Sequence, residues 1–136
     1  MTHHLAVLKK PYLDAILVGT KRIEIRLARV KMPLYGVIET GDVIWLKVTS
    51  APIVARAVAG AVDFFDNLTP EAIDQLSARY RSQTLGSDAF WTSRRHCRYA
   101  TLIHLADVTP IAPFFPAFAN YSPWRVLNGP PAVDYS

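Results

Sequence analysis

The hydrophobic and polar positions of this chain repeat with two different periods, which together predict a mixed α and β structure. Over residues 21–27 apolar and charged residues alternate, and this is the period of a half-buried strand. Over residues 11–18 the apolar residues recur at helical spacing, with Pro11 at the start and Gly19 where a C-terminal cap belongs. The start of the chain therefore predicts a helix, a glycine turn and a strand.

The same patterning predicts the remaining elements. Residues 43–49 are apolar at nearly every position, which indicates a buried strand with Trp45 in the core. Residues 53–65 are β-prone, and Gly60 within them marks a bulge or bend. The other predicted elements are a strand at residues 5–8, helices at 69–81 and 87–93, a strand at 99–108 and a short apolar piece at 124–127.

Strands separated by single short helices predict an α+β fold, a small mixed β-barrel with two or three short helices. A doubly wound parallel sheet would need more helices between its strands. Hydrophobic residues make up 51% of the chain and charged residues 19%, which is sufficient for a packed core. The length of 136 residues fits a single domain over residues 1–136.

Positive charge is concentrated in two parts of the chain. The formal net charge is +4. Residues 9–31 hold seven cations and two acids, and residues 79–98 hold five cations and one acid. If the fold brings these two blocks together, they form a focused positive surface, which favours a polyanionic partner.

Several features of the sequence predict a cytoplasmic protein without a membrane partner. The single cysteine, Cys97, cannot form an internal disulfide and fits a reducing compartment. Four prolines interrupt the longest uncharged run, residues 108–124, so this run is not expected to span a membrane. No secretory signal is recognisable at the start of the sequence.

The charged positions of the first long strand are the leading candidates for chemistry. Arg22, Glu24 and Arg26 share one face, and Lys21 stands at its entrance. A carboxylate between cations stays ionised, and the cations can hold an anionic ligand. The same pattern also fits a solvated sheet face with ordinary ion pairs. Lys21 and Glu24 have opposite parity, so they converge only if Lys21 lies in the turn before the strand.

In this order, the helix, the glycine and the charged strand resemble the ASCH family, which belongs to the PUA-like group of small β-barrels. The family pattern Gly-x-Lys-x-x-Glu-x-Arg is complete here as Gly19, Lys21, Glu24 and Arg26. The helical segment before it and the Gly-Asp-apolar strand after it also resemble the family. The resemblance implies a PUA-like barrel with a cleft, beside the first helix and the charged strand, that holds RNA or a nucleotide.

This cleft suggests two functions, neither with a cofactor. In the first, the chain is an RNA- or nucleotide-binding module in which Lys21 and Arg26 contact phosphates or base edges and Glu24 orients them. In the alternative, it is a hydrolase of a modified nucleoside or of RNA, with Lys21 stabilising negative charge and Glu24 as general base. Some relatives are similar to amidohydrolases that deacetylate a modified cytidine, but these have a threonine nucleophile where this chain has Glu24. We expect Glu24 to matter more for function than for folding.

The second basic block contributes further candidates. Arginines that follow Phe90-Trp91 can hold phosphates while a ring stacks on a base; alternatively the rings are core and the arginines solvated. The predicted ligand-binding set is Lys9, Tyr12, Lys21, Arg22, Glu24, Arg26, Trp91, Arg94 and Arg95. No metal site is predicted, because the histidines and the lone cysteine lack ligand spacing.

The proline- and aromatic-rich tail allows two interpretations. Its phenylalanines, Phe114, Phe115 and Phe118, either plug one end of the barrel or form an exposed patch for a protein partner. The first interpretation is preferred, because large apolar side chains are more often buried than exposed.

Overall fold

The structure, a computed structural model, describes residues 1–135. Its elements are β1 (His3–Leu8), α1 (Lys10–Val18), β2 (Ile23–Ala28), β3 (Val43–Val48), β4 (Ile53–Phe65), α2 (Pro70–Thr84), α3 (Asp88–Ser93), β5 (Tyr99–Phe114) and β6 (Trp124–Leu127). The predicted α+β class is confirmed, and each predicted helix and strand is present. The largest difference is β5, which continues past two prolines because its pairing with β4 runs on to Phe114. Within residues 1–135, the helices are too short or too polar to cross a membrane.

The six strands form one curled sheet, a half-barrel with the order β2-β5-β4-β3-β1-β6. β1 and β3 are parallel, and the other pairs are antiparallel. The register between β4 and β5 shifts between Ala59 and Val62, so the bend predicted at Gly60 is confirmed. A side chain at Gly60 would lie 3.1 Å from the carbonyl oxygen of His104, which explains the glycine at this close approach.

Two apolar clusters lie on opposite faces of the sheet, as the neighbours Leu102 and Ile103 of β5 show by belonging to different clusters. One fills the half-barrel and includes Leu8, Leu13 and Ile103. The other packs between the outer face of the sheet and helices α2 and α3, and it includes Ile23 and Ile25 of β2. The alternation in β2 therefore turns the charged residues toward the interior of the half-barrel. The solvated-face interpretation is therefore wrong for Glu24 and Arg26, whereas Arg22, which precedes β2, is exposed.

The expectation of Trp45 as a core residue is also wrong. Its side chain is only half-buried, and its Nε1 donates to Nδ1 of His3 at 3.0 Å. Its neighbours Ile44 and Leu46 take the core positions instead. In a strand that is apolar at almost every position, the pattern does not show which residues face inward.

The tail phenylalanines do not plug the barrel. Phe115 is 53% exposed, and Phe114 packs edge-on against Trp45. Phe118 lies under the guanidinium of Arg125, with 4.2 Å between its ring and that group. The buried aromatic residue of the tail is Trp124, which is 1% exposed and belongs to the interior cluster.

Gly86, between α2 and α3, gives a test of how tightly the outer cluster is packed. An added Cβ would lie 2.6 Å from Nε1 of Trp91 and 2.7 Å from Cδ1 of Phe90. Because Trp91 is buried and cannot move aside, we expect Gly86→Ala to lower the free energy of unfolding by about 1–3 kcal/mol in urea denaturation. The control is Gly129→Ala, since nothing lies within 4 Å of that position. Equal effects of the two substitutions would contradict this account of the packing.

Candidate functional site

The turn between α1 and β2 places the first charged residue of the site. Gly19 has a φ of 85°, and its amide closes the helix on the carbonyl oxygens of Ala15 and Ile16. The amide of Lys21 also bonds to the Ala15 carbonyl, at 3.1 Å. Lys21 therefore lies in the turn, before regular pairing begins, and its Nζ comes within 3.4 Å of Oε1 of Glu24. Lys21 and Glu24 therefore converge although they have opposite parity on a regular strand.

The Lys21 ammonium lies beneath the site. The residue is 3% exposed, and its Nζ donates to the carbonyl oxygens of Ile23 at 2.7 Å and Thr84 at 2.8 Å. Glu24 Oε1 is the third oxygen beside the ammonium and forms an ion pair with it at 3.4 Å. Burial lowers the pKa of Lys21, and the charge of Glu24 opposes this shift. Since Thr84 ends α2, Lys21 ties the start of β2 to the C-terminus of that helix.

Glu24 lies between two cations and is itself largely enclosed. It is 7% exposed, and its Oε1 accepts the amide of Ile25 at 3.1 Å. Its Oε2 accepts from Nη2 of Arg26 at 3.2 Å. Burial alone would raise the pKa of Glu24, but Arg26 and Lys21 outweigh it and hold the pKa below its usual value. The carboxylate is therefore ionised at neutral pH.

Arg26 is held in place from several sides. Its Nη2 donates to the carbonyl oxygen of Val7 at 3.0 Å, and its Nη1 donates to that of Pro123 at 3.3 Å. Its guanidinium carbon lies 5.2 Å from the ring centroid of Trp124. These contacts with β1 and the tail fix the plane of the guanidinium, so its remaining N–H groups have a defined direction.

A buried polar chain extends from Trp124 to the other side of β1. Trp124 Nε1 donates to Nδ1 of His4 at 3.0 Å, and Nε2 of His4 lies 2.9 Å from Oδ2 of Asp42. An indole N–H only donates, which assigns the proton of the imidazole to Nε2 and makes that nitrogen the donor to Asp42. Asp42 also accepts the amides of Thr2 and Glu39, each at 3.0 Å. Burial would raise the pKa of Asp42, but these hydrogen bonds outweigh it and lower the pKa.

A cleft of about 310 Å³ opens over Glu24 and Arg26. Lys9 and Arg94 add two further cations to its lining, and Tyr12 and Phe90 add two aromatic rings. The guanidinium of Arg94 lies 4.0 Å from the centroid of the Phe90 ring. The cleft therefore combines three cations, one carboxylate and two aromatic rings. This set of groups can bind an anion that carries a planar ring.

Five of the nine predicted site residues line this cleft: Lys9, Tyr12, Glu24, Arg26 and Arg94. Lys21 supports them from below. Arg22 points to a different hollow, beside Gln83 and His104. Arg95 turns away and binds both carboxylate oxygens of Asp74 at 3.0 Å. These two arginines are therefore not part of the cleft.

The structure corrects the prediction of Trp91 as a stacking residue. Trp91 is 3% exposed and belongs to the outer apolar cluster, so its ring cannot reach a ligand in the cleft. Its neighbour Phe90 lines the cleft instead, because consecutive residues on a helix point about 100° apart. The aromatic pair was visible in the sequence, but a helix of six residues is too short to show which ring faces inward.

No pattern in the sequence indicated several other residues of the site. Met32 and Pro123 line the cleft from a loop and from the tail. His4, Asp42 and Trp124 meet only because β1 pairs with both β3 and β6. Among residues 1–135, no three histidine, cysteine or carboxylate side chains are grouped so that they could hold a metal ion.

Comparison with known proteins supports the fold. No model of a known protein family matches the sequence, and no curated protein matches it. The crystal structure of ASCH from Zymomonas mobilis is 20% identical, with a TM-score of 0.71 over 93% of this chain and 87% of that one. A tyrosine-to-phenylalanine variant of that protein is 22% identical, with a TM-score of 0.71 over 94% and 91% of the two chains. The predicted fold is confirmed, because the chain has the same fold as these ASCH structures.

Proposed function

Because the chain has the ASCH fold, we propose that it binds single-stranded RNA or a nucleotide in the cleft between α1, β2 and α3. The observation that carries the proposal is the convergence of three cations and two rings, from separate parts of the chain, on one cleft. Lys9 and Arg94 hold phosphates, and a base stacks on Tyr12 or Phe90. The predicted location of this activity is the cytoplasm.

Within this proposal the residues of the motif have different tasks. Arg26 presents its free N–H groups to a phosphate or a base edge, because its other donors are fixed by Val7, Pro123 and Glu24. Glu24 keeps Arg26 oriented. Lys21 is a positioning residue that holds Glu24, since it is 3% exposed and its ammonium already contacts two carbonyl oxygens and the Glu24 carboxylate. This replaces the expectation that Lys21 itself contacts the ligand.

The contacts of Glu24 favour binding over hydrolysis. A general base works best when its pKa is close to the operating pH, whereas the pKa of Glu24 is lowered. Both of its oxygens also accept hydrogen bonds from the protein. Glu24 is therefore a weak proton acceptor, and we propose a binding module without deacetylase activity.

The matched pair Arg94→Ala and Arg22→Ala tests the cleft. Each variant removes one arginine of the two basic blocks, but only Arg94 lines the cleft. We expect Arg94→Ala to weaken binding of a fluorescent hexameric single-stranded RNA about tenfold, equivalent to about 1.4 kcal/mol. The slope of log K against log salt should also fall by about 0.7, as for one lost phosphate contact. Arg22→Ala should leave both values unchanged.

Two outcomes would contradict the proposal. Equal losses in the two variants would mean that RNA binds through general positive charge and not through the cleft. Release of acetate from N4-acetylcytidine by the unmodified protein would favour the hydrolase alternative.

A further inference from the structure

A second basic hollow, of about 710 Å³, lies on the other side of the turn that follows α3. We define the Arg29 hollow by its basic residues Arg29, His96 and Arg98, with Val30, Leu68 and Pro70 as apolar lining. Arg95 also touches it but is already bound to Asp74. Of the eight arginines in the two basic blocks, five line this hollow or the cleft: Arg26, Arg29, Arg94, Arg95 and Arg98.

The cleft and the Arg29 hollow are adjoining. On β2 and the loop after it, Arg26 and Leu27 line the cleft, and Arg29 lines the hollow only two residues further on. On the turn after α3, Arg94 lines the cleft and His96 the hollow. The two segments are joined by a hydrogen bond of 3.0 Å from the amide of Arg98 to the carbonyl oxygen of Ala28. The same two chain segments therefore form the wall between the openings.

The electrostatic environment of Cys97 agrees with this closeness. Burial raises the pKa of the Cys97 thiol, and the charges of Arg94 and Arg29 act on it in the opposite direction. Arg94 belongs to the cleft and Arg29 to the hollow. The charges of both openings therefore act on the same sulfur atom.

The cations of the hollow are available to a ligand. Among the described residues, Arg29 and His96 have no carboxylate partner, and Arg98 donates one hydrogen bond, to the carbonyl oxygen of Leu68 at 3.1 Å. The apolar lining includes Val30, which is 72% exposed. Unpaired arginines beside exposed apolar surface are suited to a phosphate and its attached sugar or base.

We propose that the Arg29 hollow is a second subsite of the same ligand, where Arg29 and Arg98 bind a phosphate of a nucleotide adjacent to the one in the cleft. The proposal rests on the proposed function and names its ligand class: a single-stranded RNA of several nucleotides, not a free nucleotide. A flexible single strand can pass over the turn between the two openings. An RNA duplex is too wide and stiff to enter a cleft of about 310 Å³.

The test compares ligand lengths. Uridine monophosphate and uridine oligomers of two, four and six nucleotides are titrated against the unmodified protein and against Arg29→Ala/Arg98→Ala. We expect the unmodified protein to bind the hexamer at least about tenfold more tightly than the monophosphate, because each additional phosphate contact adds affinity. The double variant should bind the monophosphate normally and lose this gain with length. Its salt slope for the hexamer should be lower by about 1.4, as for two lost contacts.

Two further variants keep the result interpretable. Arg56→Ala/Arg79→Ala removes the same charge from exposed positions outside both openings and should bind every ligand normally. If loss of the Arg98 contact with Leu68 impairs folding, Arg29→Glu alone replaces the double variant, since Arg29 is exposed and no carboxylate of residues 1–135 pairs with it. It should likewise remove the gain with length.

The possible results separate the two proposals. If the unmodified protein binds the monophosphate but binds the hexamer no more tightly, the proposal of a second subsite is overturned and the proposal for the cleft is not affected. A gain with length that survives both Arg29→Ala/Arg98→Ala and Arg29→Glu would also overturn it. Absence of binding to every ligand, in a folded protein, would overturn the proposed function itself.

Discussion

Glu24→Gln is expected to lower the free energy of unfolding by about 3–5 kcal/mol, the usual loss when one partner of a buried ion pair is removed. The carboxylate is 7% exposed and lies between Lys21, which is 3% exposed, and Arg26. In the variant, the buried Lys21 ammonium faces a neutral amide instead of a carboxylate, and its other partners are the carbonyl oxygens of Ile23 and Thr84. From this burial we predict a large part for Glu24 in folding, whereas the sequence led us to expect a part mainly in function.

Urea denaturation at pH 7 measures this loss, and Glu39→Gln is the control because Glu39 is exposed and its carboxylate has no ion pair within residues 1–135. Combining Glu24→Gln with Lys21→Met completes a double-mutant cycle. The double variant should lose less stability than the sum of the single losses, by about 0.5–3 kcal/mol, because the two groups interact directly. A change within 0.5 kcal/mol for Glu24→Gln, the range typical of surface substitutions, would mean that the pair contributes nothing to folding.

Asp42→Asn is expected to cost about 2–4 kcal/mol at pH 7, since charged hydrogen bonds to buried groups are among the strongest in proteins. The Asp42 carboxylate accepts hydrogen bonds from the amides of Thr2 and Glu39 and contacts Nε2 of His4. The substitution removes the negative charge that strengthens all three contacts. The loss should also depend on pH. A carboxyl group whose pKa is lowered by folding stabilises the native state above its unfolded pKa of about 3.9, and this stabilisation disappears as the pH falls through the lower, folded pKa.

Unfolding free energies measured from pH 7 down to pH 3 test this dependence. The difference in unfolding free energy between the unmodified protein and Asp42→Asn should be constant above about pH 5. It should shrink below about pH 4, where the carboxyl group of the unfolded chain becomes protonated while that of the folded protein is still ionised. Asp63→Asn is the control, because Asp63 is an exposed carboxylate of β4. A difference that stays constant down to pH 3 would show that the charge of Asp42 does not stabilise the fold.

The local patterns of the sequence predicted the elements well but not the direction of every face. The alternation in β2 correctly separated Ile23 and Ile25 from Glu24 and Arg26. The same pattern fits a strand whose charged face meets water and one whose charged face closes against α1 and the tail. Only the curl of the whole sheet decides between them, and this curl depends on bends in β4 and β5 far from β2 in sequence.

The candidate site was predictable where its residues are close in sequence. Lys21, Glu24 and Arg26 belong to one short segment, so their proximity followed from the turn at Gly19. Arg94 was a candidate from charge alone, and nothing local distinguished it from Arg95, which the structure places on Asp74. Such distinctions depend on which side of a short helix meets the sheet, and this is decided by tertiary packing.

The pairing of β1 with β6 has a consequence for synthesis of the protein. His4 lies opposite Val126, and its ring bonds to Trp124, so the first strand has no complete set of neighbours until the chain has reached Leu127. β2 likewise has no strand to pair with until β5 is synthesised, more than 70 residues later. On the ribosome, the apolar side of β1 and the charged strand of the cleft therefore emerge long before their partners do. Nascent chains that stop short of Trp124 should remain protease-sensitive, because the sheet then lacks its closing strand.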